Sequence, residues 1–332
     1  MTIMRNQAFR LSKYPQGKFS MDILDMVPLP LPHFTEGEFL VMQTHMSLNP
    51  VMHAWLQQSK LNHAPPMQIG EILQSYGVGK VIESLNPDFP VGAQVVGLTG
   101  WSEYILGNAD MYLMDSSLAP EAILSLFYFT GLTAYVSLFK LAQPQQGQTL
   151  VITDAASAVG SLLGQLGKAN GLKVVGMTDS DEKCQWLMDE IGFDSAINKH
   201  TEHLEVHLKA AVPDGIDIFF ENTDEPIQEL IYPQMNTYGR VIVTDMPESQ
   251  QHKSRHIPDL MQIQHKRLSI QGFEVSDYLD LMQESHCVLA EYLMQGKIKY
   301  QAHVIDGFEN LPETLIQYFN HAAPMGKLIV RF

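Results

Sequence analysis

The sequence predicts an α/β fold: a doubly wound parallel sheet joined to a second, β-rich domain. Three observations carry this. The chain has 332 residues, more than one core usually serves, since single cores stop growing at roughly 250 residues. From about Gln148, β-like runs alternate with helical periods in units of roughly 20 to 28 residues, the repeat of βαβ crossovers. The first 120 or so residues lack that alternation; short β-like runs are separated by turns, and prolines crowd into VPLPLPHF and LNPDFPVG.

In order along the chain, FLVMQTHMSL, GKVIES and QVVGLTG are the β-like runs of the first domain. The uncharged stretch AILSLFYFTGLTAYVSLF, Ala122 to Phe139, follows. Its length reaches the lower limit of a membrane span. With Thr130, Gly131 and Thr133 at its centre and no positive flank, it is expected to be two short buried helix segments at a domain junction. The runs TLVIT, LKVVGM, SAIN, IDIFFEN, RVIVTDM and LSIQGF then supply six parallel strands. Between them Val159, Leu162, Leu163 and Leu166 mark one helical face, and Cys184, Leu187, Met188 and Ile191 another, closed by Gly171 and Gly192. After a long helix near Asp277 to Gln295, the tail returns to strand, helix, strand and is expected to rejoin the first domain. The expected division is residues 1–125 with 308–332, and 126–307, with a cleft between. PESQQHKSRHIPD reads as a polar, insertion-like loop.

Composition excludes several functions. A formal charge of -16 repels phosphate backbones and anionic membranes, so neither nucleic acid nor a lipid surface is an expected partner. Cys184 and Cys287 are too few for a disulfide framework and read as buried thiols of a reducing compartment. MTIMRNQAFRL lacks the apolar core and cleavage site of a signal peptide, and a cytoplasmic location is expected.

The chemistry begins at TDAASAVGSLLG, residues 153–164. Here a strand must turn sharply into a helix whose free N–H groups and dipole face a pyrophosphate. Ala155, Ser157 and Gly160 stand where a GxGxxG fingerprint has glycines. The loose match also fits an ordinary tight turn, but its place at the head of six βα units favours a dinucleotide. The second strand ends VVGMTDSDEK, with Thr178 where an NAD-preferring site has an acid. Asp179, one residue on, reads better as a helix cap. Lys183 either reaches a 2′-phosphate or is a solvated surface lysine.

GVGKVIES, FPVGAQVVGLTGWSEY, TGLTAY, AVGSLLGQLGKANGLKVVG, SDEKC and GFD, taken in order, resemble the zinc-free medium-chain reductases. Within them the chain is similar to the leukotriene B4 12-hydroxydehydrogenase, prostaglandin reductase and curcumin or alkenal reductase group, from about Arg5 to Val330. The resemblance implies a GroES-like domain, a Rossmann domain, NADPH, reduction of a carbon–carbon double bond conjugated to a carbonyl, and a homodimer. Independently, no Cys, His or carboxylate set has zinc spacing: IGEI around Gly70 and Glu71 lacks the histidine of zinc-dependent relatives, and His45, His53 and His63 match no common motif.

Carried across, the resemblance sets Ser157, Ala158, Val159 and Gly160 at the pyrophosphate and Lys183 at the 2′-phosphate. Asn222, Thr244, Phe273 and Val275 lie along the cofactor, Thr133 touches it, Asn49 sits in the loop facing the cleft, and Thr178 and Lys199 fall beside the adenine-side ribose. Departures are informative. A tyrosine and an arginine of the family become Val51 and His53, a second tyrosine is lost at Asn198-Lys199-His200, and an asparagine becomes Pro324. The tyrosine implicated in enolate stabilisation aligns with His265. Conjugate reduction needs a hydride donor, a group for the enolate oxygen and a proton source. For the second, the cofactor's own ribose hydroxyl is expected to contribute, and His265 and His53 are the candidate donors, each also readable as a loop histidine. An NADPH:quinone oxidoreductase and a non-catalytic NADPH-binding protein remain as alternatives.

Overall fold

The computed structural model describes residues 6–57, 66–222, 227–244, 259–321 and 323–332. The chain divides into two compact units, 1–128 with 302–332, and 129–301.

In the first unit β1 (Asn6–Leu11) and β2 (Leu24–Leu29) form a two-stranded antiparallel ribbon. The other strands are β3 (Phe39–Ser47), β4 (Gln74–Ser84), β5 (Gln94–Gly100), β6 (Tyr104–Gly107) and β7 (Tyr112–Met114). The helices α1 (Val51–Trp55) and α2 (Pro120–Leu126) belong here too.

The second unit holds α3 (Tyr128–Tyr135), β8 (Thr149–Ile152), α4 (Ala158–Ala169), β9 (Lys173–Thr178), α5 (Asp181–Trp186), β10 (Ser195–Asn198) and α6 (Leu204–Ala211). It continues through β11 (Ile216–Glu221), α7 (Gln228–Ile231), β12 (Met235–Val243), α8 (Leu260–Lys266), β13 (Ser269–Gly272) and α9 (Met282–Met294).

β14 (Ala302–Asp306), α10 (Leu311–Asn320) and β15 (Lys327–Arg331) return to the first unit. They complete a sheet in the order β14-β15-β3-β4-β5-β7, with β6 also against β3. β14 pairs with β15 from Ala302 opposite Lys327 to Asp306 opposite Arg331. The return therefore falls at 302, ahead of the expected 308. Phe9, Leu11, Leu48, Met52, Trp101, Phe308 and Leu311 pack into this unit's core, which draws on both ends of the chain.

The six expected parallel strands are all present, in the order β10-β9-β8-β11-β12-β13, a doubly wound sheet. Its central strands are buried along their length, as strands covered on both faces must be. Losing the ring of fully buried Phe219 would cost about 3 to 5 kcal/mol. In α4, Leu162, Leu163 and Leu166 are buried as their spacing predicts.

Two helical details depart from simple periodicity. α5 runs into a π-helical turn, Leu187–Ile191, which widens the helix and shifts the register of its faces. Cys184, Leu187 and Ile191 stay inside while Met188, expected there, is 37% exposed. Of the two thiols expected to be buried, Cys184 is, and burial pushes it up to about 11. Cys287 is exposed, because α9 turns Met282, Ser285 and Leu289 inward and residue 287 lies off that face.

The uncharged stretch does break in two. α2 ends at Leu126, Tyr128 takes a left-handed φ of 56°, and α3 runs on into a π-helical segment, Val136–Ala142. The combined run Pro120–Ala142 is long and apolar enough to cross a membrane, yet 89% of its most apolar window is buried inside the fold.

Candidate active site

Because β8 to β13 are parallel, their carboxyl ends share one edge, and the connections reverse between β8 and β11. In such sheets that switch point is where ligands bind. Backbone bonds continue the strand pairing past the ends of the strands at this edge. Ala155 N–H donates to Met177 O at 2.9 Å, Lys199 N–H to Thr178 O at 2.8 Å, Thr244 N–H to Glu221 O and Phe273 N–H to Val243 O, both at 3.2 Å. The edge thus gathers Ser157, Ala158, Val159, Gly160, Thr178, Lys183, Lys199, Asn222, Thr244, Phe273 and Val275.

At the switch point the Thr153 hydroxyl accepts from Asn222 N–H at 3.1 Å and lies 3.0 Å from Asn222 Oδ1. Thr153 therefore fixes the asparagine, a role no motif spacing announced; its only signal was a threonine closing the first strand. Next to Asn222, Glu221 is 3% exposed. Burial raises its pKa, and the Gln228 amide, donating to Oε1, offsets part of that rise.

The β8–α4 turn explains the missing glycines. Ala155 and Ala156 are buried, and Asp154 takes the left-handed conformation at φ 46°. Ser157 is extended and its hydroxyl accepts from Gly160 N–H at 3.1 Å, a helix N-cap. Its side chain thus satisfies one donor that a bare glycine turn would leave for an anion. Gly160 has no substitute: a Cβ there would sit 2.6 Å from Asp154 O and 2.8 Å from Ala155 Cα.

Beyond β9, the cap assigned to Asp179 belongs to Ser180, whose hydroxyl accepts from Lys183 N–H at 3.3 Å. Asp179 instead pairs with Lys183, carboxylate to Nζ at 2.8 Å, with side chains 28% and 12% exposed. Asn198 binds Asp181 at 2.8 Å, and β10 sets Asn198 opposite Thr178, so Lys199 follows beside Asp179.

Four candidates belong to other elements than the strand ends of this sheet. Lys266, at the end of α8, donates to Pro233 O and Met235 O at 2.6 and 2.7 Å, where β12 begins. α8 therefore ends at the amino edge of the sheet, and exposed His265 sits there, a strand length from the gathered residues. The alignment that suggested it carried no information on helix direction. Thr133 is buried in α3 and donates to its own helix at Phe129 O, 2.7 Å. In the first unit, His53 lies 5.2 Å from both the Phe19 and Phe319 rings, with Nε2 at 3.1 Å from Gln57. Asn49 is buried, donates to Ser47 and accepts from the buried Lys327 ammonium. Lys327, not singled out by the sequence, is therefore the partner that fixes Asn49.

Among the described residues no group of three or more His, Cys, Asp or Glu side chains is placed to hold a metal ion. His45 Nε2 faces Glu121 at 3.4 Å, a pairing of two. His63 lies outside the described residues, as does the loop PESQQHKSRHIPD except Asp259, which caps α8.

Comparison with known proteins agrees with this geometry. Residues 7–114 match the N-terminal domain of oxidoreductase family, and residues 158–291 match the zinc-binding dehydrogenase family. A putative NADP-dependent oxidoreductase, YfmJ, of Bacillus subtilis is 33% identical, with 94% of each chain covered. The NADPH-dependent curcumin reductase of Escherichia coli is 32% identical over 89% of this chain and 88% of its own. The structure of CurA from Vibrio vulnificus in complex with NADPH superposes with a TM-score of 0.90 at 30% identity, covering 98% of both chains. With a GroES-like unit, a Rossmann unit and these relatives, the chain belongs to the medium-chain dehydrogenase/reductase family, in the group of the curcumin, prostaglandin and alkenal reductases.

Proposed function

We propose that this chain is an NADPH-dependent, zinc-independent reductase of the carbon–carbon double bond of α,β-unsaturated ketones or aldehydes. The observation that carries the reading is the carboxyl edge of the doubly wound sheet, where the Thr153–Asn222 pair and the α4 N-terminus meet at the switch point. The residues present suit a dinucleotide: small side chains at the turn, a glycine whose Cβ would strike backbone, and lysines beyond β9 and β10. Ser157, Ala158, Val159 and Gly160 would meet the pyrophosphate, and Thr178, Lys183 and Lys199 the adenine-side ribose and its phosphate. Asn222, Thr244, Phe273 and Val275 would hold the nicotinamide half, with Thr133 and Asn49 as further contacts. A nicotinamide bound there would supply a hydride for the β-carbon.

No ligand set for zinc is present among the described residues, and no step is assigned to a metal. Of the two histidines we take His53 as the candidate donor to the enolate oxygen, since the contacts of neighbouring Lys266 with the start of β12 weigh against His265. The partner is a small conjugated carbonyl in the cytoplasm. A homodimer is favoured by β13, an edge strand whose four residues are all exposed.

The test is NADPH oxidation with a panel of enones, alkenals and quinones. Turnover of enones or alkenals well above quinones is expected. Turnover of quinones alone would replace the reading with a quinone oxidoreductase, and tight NADPH binding with no oxidation would replace it with a non-catalytic binding protein.

A further inference from the structure

We infer that Asp179 sets the coenzyme selectivity of this protein, weakening its preference for the phosphorylated dinucleotide; the inference rests on the reading of the carboxyl edge as the dinucleotide site. Asp179 follows the last residue of β9, at the strand end where an acid in such sheets accepts the ribose 2′-hydroxyl of a non-phosphorylated cofactor. Its carboxylate holds the Lys183 ammonium at 2.8 Å. The neighbouring acid is otherwise engaged, since Asp181 accepts from Asn198, and the helix start is already capped by Ser180. Asp179 therefore has no capping duty, and its bond is to the one lysine of α5 that faces this strand end.

A 2′-phosphate arriving here must take Lys183 from Asp179 and then lie beside the carboxylate it displaced. Both effects oppose the phosphate and neither opposes a 2′-hydroxyl, which gains an acceptor. Lys199, set beside Asp179 by the β9–β10 register, supplies the second positive charge that keeps phosphate binding favourable. Three charges at two adjacent strand ends thus balance the two coenzymes against each other.

The experiment is a fluorescence titration of NADPH and of NADH against the wild-type chain, Asp179→Asn, Lys183→Ala and the double variant, with Tm recorded for each. Asp179→Asn is expected to tighten NADPH binding about tenfold and to leave NADH unchanged or weaker, as removal of a like charge from an anion site does. Lys183→Ala should weaken NADPH binding more in the Asp179→Asn background than in the wild type, because in the latter the lysine is partly neutralised. An unchanged NADPH to NADH affinity ratio in Asp179→Asn, or strict additivity of the two substitutions, overturns the inference. Failure of the wild-type chain to bind either dinucleotide overturns the functional reading itself, so the two failures are told apart.

Discussion

The two edges of the Rossmann sheet are built differently. At the amino edge, charges are locked into the fold: the Lys266 ammonium donates to the carbonyls of Tyr232, Pro233 and Met235, and Asp217 accepts from Thr149 N–H and from Asn236. At the carboxyl edge several side-chain bonds are short-range pairs within one turn or between neighbouring strand ends: Ser157 with Gly160, Asp179 with Lys183, Thr153 with Asn222. A partly exposed ion pair contributes about 0.2 to 1 kcal/mol, little enough for a ligand to replace. An ammonium shared by three carbonyls has no such substitute. One edge holds the unit together, and the other is held only firmly enough to be exchanged.

Substitutions can break that contrast or sharpen it. The largest effect is expected from Gly160→Val, whose side chain would press on the Asp154 and Ala155 backbone. It should cost about 3 kcal/mol in chemical denaturation and abolish NADPH binding, and a stable variant that binds normally would mean the turn can move aside. Lys266→Met should cost about 2 kcal/mol by stranding three carbonyls, with the NADPH dissociation constant unchanged. A matching loss of affinity would show that the edges are coupled.

Glu221→Gln tests the carboxyl edge by pH. Burial raises the folded-state pKa of Glu221. Its favourable neutral form is therefore complete below the unfolded value and is lost as pH rises through the folded one. The variant should melt higher than wild type at about pH 8 and equally at about pH 3, below the ordinary carboxylate range. A gain independent of pH would assign the effect to packing.

Ser157→Gly should lower stability by only a few tenths of a kcal/mol while releasing the Gly160 N–H, so NADPH should bind a few-fold tighter in titration. No change in affinity would mean the capped donor is not one the pyrophosphate uses. The smallest effect belongs to His265→Ala, for which both affinity and enone turnover should stay within about twofold of wild type; a large fall in turnover would return His265 to the mechanism.

Much of this edge was legible in the sequence. Six β-like runs alternating with helical periods, each followed by a polar turn, read as the strands of a doubly wound parallel sheet, and their ends mark Thr178, Asn222 and Thr244 without any tertiary knowledge. What escaped had identifiable causes. TDSD offers four consecutive capping side chains, so the cap could be assigned to Asp179 when the backbone uses Ser180. Met188 was turned outward by a π-helical turn that no 3.6-residue period anticipates. His265 was placed by alignment with a family tyrosine, but α8 ends where β12 begins and carries it to the other edge. Asn49 meets Lys327 from the far end of the chain, a contact that local spacing cannot express.

The two thiols give the Rossmann unit its own gauge of opening. Cys287 faces solvent and should react with a thiol reagent at once, whereas Cys184, buried and with its thiol pushed up to about 11, should react only when α5 loosens. Cys184 directly follows Lys183, so a dinucleotide that engages that lysine should slow the second reaction and leave the first alone. The ratio of the two labelling rates would then report occupancy of the nucleotide site in any mixture, without a substrate and without following turnover.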